Sequence, residues 1–70
     1  MPLFKAKPGE VNRIRSVSCT DKVRQFLFTL GCSAGEEITL VSVLAGTFIV
    51  AIKDSRYAID MNFAKSIDLV

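Results

Sequence analysis

Apolar residues in this 70-residue chain recur with two different periods. Val23, Phe26, Leu27 and Leu30 stand at i, i+3, i+4 and i+7, the spacing that lays one apolar stripe along a helix. Thr20 or Asp21 can cap that helix by accepting a bond from an orphan backbone N–H. Gly31 follows the last apolar position, where a left-handed residue ends a helix at little steric cost. The pattern predicts a helix from Thr20 or Asp21 to Leu30, with Phe26, Leu27 and Leu30 buried. Phe28 then points nearly opposite, with Arg24 beside it at i−4. There it is either exposed or covered by the segment around Leu3 and Phe4.

The other apolar runs are shorter and rich in β-branched residues, which suits strands. Pro8-Gly9 signals a turn, and Glu10–Val17 after it reads as a strand. Ile14 lies between Arg13 and Arg15, so alternation would put both arginines on the face opposite Ile14. Val11 and Val17 share the arginine parity, which makes the strand bulged or not cleanly two-faced. Gly35 marks another turn. Glu36–Leu44 and Thr47–Lys53 flank Ala45-Gly46, and Arg56–Met61 follows Asp54-Ser55, so two hairpins in series are predicted. Asn62–Lys65 reads as a tight or 3₁₀ turn and Ser66–Val70 as a closing strand. About five strands with one short α-helix make a mainly-β fold, a small barrel whose closure removes exposed edges.

Composition narrows this further. A chain of about 60 residues buries only ~60% of its unfolded surface, so a single domain over 1–70 needs an efficient core. Half the residues are hydrophobic, which meets that need and argues against disorder. The longest apolar stretches, such as Phe48–Ile52, fall far short of the ~20 residues that cross a bilayer. The N-terminal MPLFKAKPGE lacks the long apolar core of a secretory signal. The expectation is a cytoplasmic protein with no direct membrane insertion. Cys19 and Cys32 would sit at opposite ends of the predicted helix. A helix of ~10 residues is ~15 Å long, which is beyond disulfide reach, so both are expected as buried, reduced thiols.

The net charge of +2 is unevenly placed. Lys5, Lys7, Arg13, Arg15, Lys22 and Arg24 face only Glu10 and Asp21 in residues 1–24, and residues 25–70 are net acidic. Such asymmetry can face an acidic protein surface, lipid headgroups or nucleic acid.

Catalytic chemistry is missing from the residue list. The chain has no histidine, the commonest general base and transition-metal ligand. Two distant cysteines cannot make a zinc site without borrowed ligands. The carboxylates are scattered, no Gly-rich phosphate loop occurs, and the hydroxyls have no base to activate them. The chain is therefore expected not to be an enzyme, and to hold no cofactor and no metal of its own.

The order of these signals resembles the FeoA family. The stretch Lys7-Pro8-Gly9, then Ile14, then Leu30-Gly31-Cys32-Ser33-Ala34-Gly35-Glu36-Glu37-Ile38 is similar to the family's Pro-Gly turn and its L-G-x-x-x-G-x-x-I motif. Ala58-Ile59 and Ala64-Lys65-Ser66-Ile67 are similar to its closing A-[IL] and A-x-x-I. The chain departs from the family in keeping only Lys22 and Arg24 on the helix, where successive arginines are usual. It also has Ala34 for a common proline, a short loop at Ala45-Gly46, and Asp54 where glycine is frequent.

The resemblance implies an SH3-like barrel that assists bacterial ferrous iron uptake. It would do so by protein–protein interaction with a FeoB-type membrane transporter or its cytosolic GTPase domain. A regulatory module of an iron-dependent repressor is the alternative that the resemblance also implies. A nucleic-acid-binding barrel is a further alternative, but Arg13-Ile14-Arg15 has no aromatic on which a base could stack. An exposed aromatic beside an arginine is the composition that interface hot spots favour. Phe28 and Arg24 are therefore the expected partner-binding anchors, with Arg13 and Arg15 steering the approach. Self-association into a homo-oligomer is left open by the residues.

Overall fold

A computed structural model describes residues 1–70. The strands are β1 (Val11–Val17), β2 (Glu37–Leu44), β3 (Thr47–Ile52), β4 (Ser55–Asp60) and β5 (Ile67–Leu69). Two helices accompany them, α1 (Asp21–Thr29) and the single turn α2 (Met61–Ala64). A 3₁₀ turn at Leu3–Lys5 precedes β1. The antiparallel sheet runs in the order β4-β3-β2-β1-β5. The predicted strands are all present, with ends displaced by a residue or two. Residues 62–65, expected as a tight or 3₁₀ turn, lie within and just after the α-helical turn α2.

The sheet curls because β1 changes partner along its length. Its first half pairs with β2 from Val11↔Thr39 to Arg13↔Glu37, and its second half with β5 from Ile14↔Leu69 to Val17↔Ile67. A register shift between Ile14 and Ser16 sits at the changeover. An extra residue in one strand bends it and increases its twist, which is what a strand shared between two sides of a barrel needs. Val17, half-buried although it shares the parity of the exposed arginines, is the sequence trace of this bulge; Val11, of the same parity, lies before it and is exposed. A second register shift, between Leu40 and Ser42, bends β2 against β3. The curl does not close, because no hydrogen-bonded ladder joins β4 to β5.

Inside the curl, alternation on β3 places Phe48, Val50 and Ile52 in the core beside Ile14, Ile38, Leu40, Ile59, Ile67 and Leu69. Leu3 is fully buried from the N-terminal turn, and Leu27 is fully buried from α1.

The apolar stripe of α1 is narrower than its spacing predicts. Leu27 alone is buried, Val23 and Leu30 are half-buried, and Phe26 is 47% exposed. A nine-residue helix that covers one rim of a barrel touches it along a single line. Phe26 lies outside that line and leans instead on Phe63, with ring centroids 5.2 Å apart. Phe28 is not covered by the N-terminal segment. Leu3 is in the core and Phe4 packs against that core, which leaves Phe28 64% exposed. Of the two thiols, Cys32 is buried as expected, but Cys19 is only half-buried; both are free.

Asp60 ends β4 and caps α2, its carboxylate accepting the Phe63 N–H at 3.1 Å. Losing such a cap typically costs ~1 kcal/mol. Asp60→Ala is therefore expected to lower the urea midpoint by a corresponding amount at unchanged slope.

Candidate functional site

The end of α1 shapes the most apolar concavity on the molecule. Thr20 starts the helix, its hydroxyl oxygen accepting from Val23 N–H at 3.4 Å. The helix ends in a paired-bond stop: Gly31 N–H donates to Phe28 C=O at 3.0 Å and Cys32 N–H to Leu27 C=O at 2.9 Å. Gly31 has φ +96°, and a Cβ there would lie 3.0 Å from an Ile52 methyl. The positive φ calls for glycine, and a side chain there would also press on Ile52. Beyond it the chain turns under the helix and sets Cys32 into the core, 2% exposed.

Between this turn, α1 and β1 lies a groove of about 440 Å³. Arg15, Ser16 and Val17 form its β1 side, Arg24, Gln25 and Phe28 its helical side, and Cys32 with Ser33 and Ala34 its end. No carboxylate lines it. Burial pushes the Cys32 thiol up to about 11 from an ordinary 9.0, so at neutral pH the groove meets a neutral SH group. A thiol held that far from ionisation is a poor nucleophile and a poor metal ligand.

Two of the groove residues are arginines whose intramolecular pairs are loose. Arg24 approaches Asp21 at 3.7 Å with both side chains exposed, and exposed Arg15 approaches at 3.8 Å the partly buried Asp68, whose carboxylate also holds the Met1 ammonium at 3.0 Å. Exposed pairs of this kind contribute ~0–1 kcal/mol. Both guanidiniums therefore remain available to an acidic ligand.

Three of the four residues expected from the sequence, Arg15, Arg24 and Phe28, thus line one groove. Arg13 does not join them. It donates to the Gly35 carbonyl, approaches Glu37 at 3.8 Å, and faces a separate depression that also contains Glu36 and Lys53. The register shift between Ile14 and Ser16 separates the surroundings of the two arginines. Val17, Gln25 and Cys32 are groove residues that the sequence reading missed. Only the Leu30-Gly31-Cys32 helix stop carried a signal for the last of them.

No group of three or more His, Cys, Asp or Glu side chains is arranged to hold a metal ion. No helix is long and apolar enough to cross a membrane.

Comparison with curated proteins returns no match. Solved structures do match in fold. The crystal structure of an iron uptake regulatory protein, FeoA, superposes with a TM-score of 0.91 at 23% identity, covering 99% of this chain and 93% of that one. FeoA of Stenotrophomonas maltophilia complexed with zinc, described as a procaryotic SH3 domain protein, gives 0.88 at 22% identity over 100% and 89% of the two chains. A manganese-dependent transcriptional repressor gives 0.90 at 18% identity, but this chain covers only 40% of it. These likenesses establish the SH3-like fold. The family follows from the sequence itself, because the profile of the FeoA domain matches residues 1–69. The chain belongs to the FeoA family, a family associated with ferrous iron transport.

Proposed function

We propose that this chain is a cytoplasmic accessory protein of bacterial ferrous iron uptake, without catalysis of its own. It works by docking on the cytosolic GTPase domain of a FeoB-type transporter. The observation that carries this reading is the groove between β1 and α1. A largely exposed phenylalanine and two loosely paired arginines line it, with no carboxylate among the lining residues. That chemistry suits an acidic segment with an apolar anchor: the anchor packs beside Phe28 and its carboxylates meet Arg15 and Arg24. Family membership supplies the iron-uptake context, and the Stenotrophomonas maltophilia protein has been put forward as a ferrous iron transport activating factor.

The test is calorimetric titration of the chain with the isolated cytosolic domain of the transporter. Phe28→Ser combined with Arg24→Glu is expected to weaken association at least ~10-fold, the loss of about one hot-spot contact. Both side chains are exposed, so melting should be unchanged. Full affinity in the folded double variant would overturn the groove as the docking surface. The repressor-module reading would instead require binding to a DNA-binding regulator and none to the transporter domain.

A further inference from the structure

The sheet stops at β4. This strand has β3 on one side and no strand on the other. A two-residue turn, Lys53-Asp54, joins the pair and closes on Ile52↔Ser55. In such a turn the fourth residue's N–H donates to the first residue's C=O, and antiparallel bonding alternates along the ladder. Ser55, Tyr57 and Ile59 therefore direct their main-chain groups to β3, and Arg56 and Ala58 direct theirs outward, as does the Asp60 N–H, while the Asp60 C=O starts α2. No turn, loop, cap or side-chain hydrogen bond reaches the main chain of Arg56 or Ala58. Groups without a partner in the chain have to meet water or another strand.

Open edges are commonly guarded by charges, lysine above all, that deter a second copy. The guard on β4 is different: exposed Arg56 and exposed Asp60 stand four residues apart on one face, with exposed Ala58 midway. Opposite charges placed symmetrically about a small residue are self-complementary under a two-fold axis.

We propose that β4 pairs antiparallel with the same strand of a second copy, with the two-fold axis at Ala58. This goes beyond the docking groove and uses a different face of the molecule. In that register Arg56 stands opposite Asp60 of the partner subunit and Asp60 opposite the partner's Arg56. Ala58 meets the partner's Ala58 on the axis, where the smallest side chain lets the strands approach. On the other face Tyr57 stands opposite Ile59 of the partner subunit, but each Ile59 is buried in its own core, so the charge pairs set the register. Axes at Arg56 or at Asp60 would place like charges opposite each other, which selects against those slips. The two sheets then run on as one. An edge of six residues makes a small interface, so the dimer is weak and concentration-dependent.

Sedimentation equilibrium of the full chain from micromolar to millimolar concentration is the test. The wild type should pass from the monomer mass to twice that mass. Arg56→Glu alone and Asp60→Lys alone should each weaken association ~10-fold or more, because each puts two like-charged pairs face to face. An equimolar mixture of these two variants should recover the dimer, since opposite charges are restored at both positions. Ala58→Pro should abolish pairing in a folded monomer, because the N–H it removes points away from β3. It also decides the matter if Asp60→Lys, which loses the α2 cap, fails to fold. Phe28→Ser with Arg24→Glu should leave self-association untouched, so a failure of the docking groove reads differently from a failure of this edge. A wild type that stays monomeric to millimolar concentration overturns the proposal. So does a dimer that survives Arg56→Glu and Ala58→Pro.

Discussion

Leu27→Ala is expected to remove ~2–5 kcal/mol of folding free energy, the range for truncating a leucine in a closed core. Small domains have total stabilities of about 5 kcal/mol, so the variant should sit near its unfolding midpoint at 25 °C. Three observations point to the upper part of the range. Leu27 is fully buried and is the only buried side chain that α1 contributes. Its carbonyl accepts the Cys32 N–H that closes the helix stop. The turn beyond it passes close to Ile52 at Gly31, where an added Cβ would lie 3.0 Å from an Ile52 methyl, which limits collapse onto a void. Phe26→Ala is the informative comparison. Phe26 is nearly half exposed and gains chiefly from the Phe63 ring, a contact of the kind that contributes ~0.5–1.5 kcal/mol beyond its area. Urea unfolding of both variants reads the difference. A larger loss for Phe26→Ala than for Leu27→Ala would mean that the helix presents a different face to the barrel.

That comparison also marks how far a one-dimensional pattern reaches. The i, i+3, i+4, i+7 spacing located α1 to within a residue, because a helix needs an apolar stripe wherever it packs. It could not tell how wide the contact is, since width depends on what lies opposite. Here one barrel rim lies opposite, and Phe26 falls beyond it. The strands were legible for a similar reason: β3 alternates cleanly, with Phe48, Val50 and Ile52 inward. Even the bulge in β1 left a trace in the parity of Ile14 and Val17.

The 3₁₀ turn at Leu3–Lys5 left none, because its partners are remote in sequence. Met1 C=O accepts the Leu69 N–H at 2.6 Å, and Pro2 bridges to Asp68. The open edge of β4 runs against the closure expected from the sequence, which predicts strands but not whether the first and last ladders meet. At the site, Arg24 and Phe28 were readable because i and i+4 always share a helical face. The grouping of Arg15 without Arg13 depended on a bulge whose position only the pairing with β2 and β5 reveals. Cys32 was expected as a buried, reduced thiol, and it is free and in the core. Its place at the end of the groove follows from the helix stop that turns it inward.

Burial of Cys32 carries a pH signature that can be separated from every other effect. The thiol is 2% exposed, and desolvation raises it from 9.0 to about 11 in the folded chain. Below about pH 9 both folded and unfolded chains keep the proton, and the full stability is present. Between about 9 and about 11 the unfolded chain releases the proton while the folded chain retains it, so rising pH favours unfolding. Above about 11 both forms are ionised and the loss levels off. The total is roughly 3 kcal/mol, the free energy equivalent of that displacement. Urea titrations at steps between pH 7 and pH 11 should show this alkaline fall in the wild type. Cys32→Ala should begin at a lower stability, because a packed sulfur is lost, and then decline less steeply. Lysines and Tyr57 are common to both proteins, so the difference between the two curves isolates the thiol. Parallel curves would show that Cys32 ionises as readily in the folded chain as in the unfolded one. The end of the groove would then carry a reactive thiolate in mild alkali, in place of the neutral contact on which an apolar anchor beside Phe28 depends.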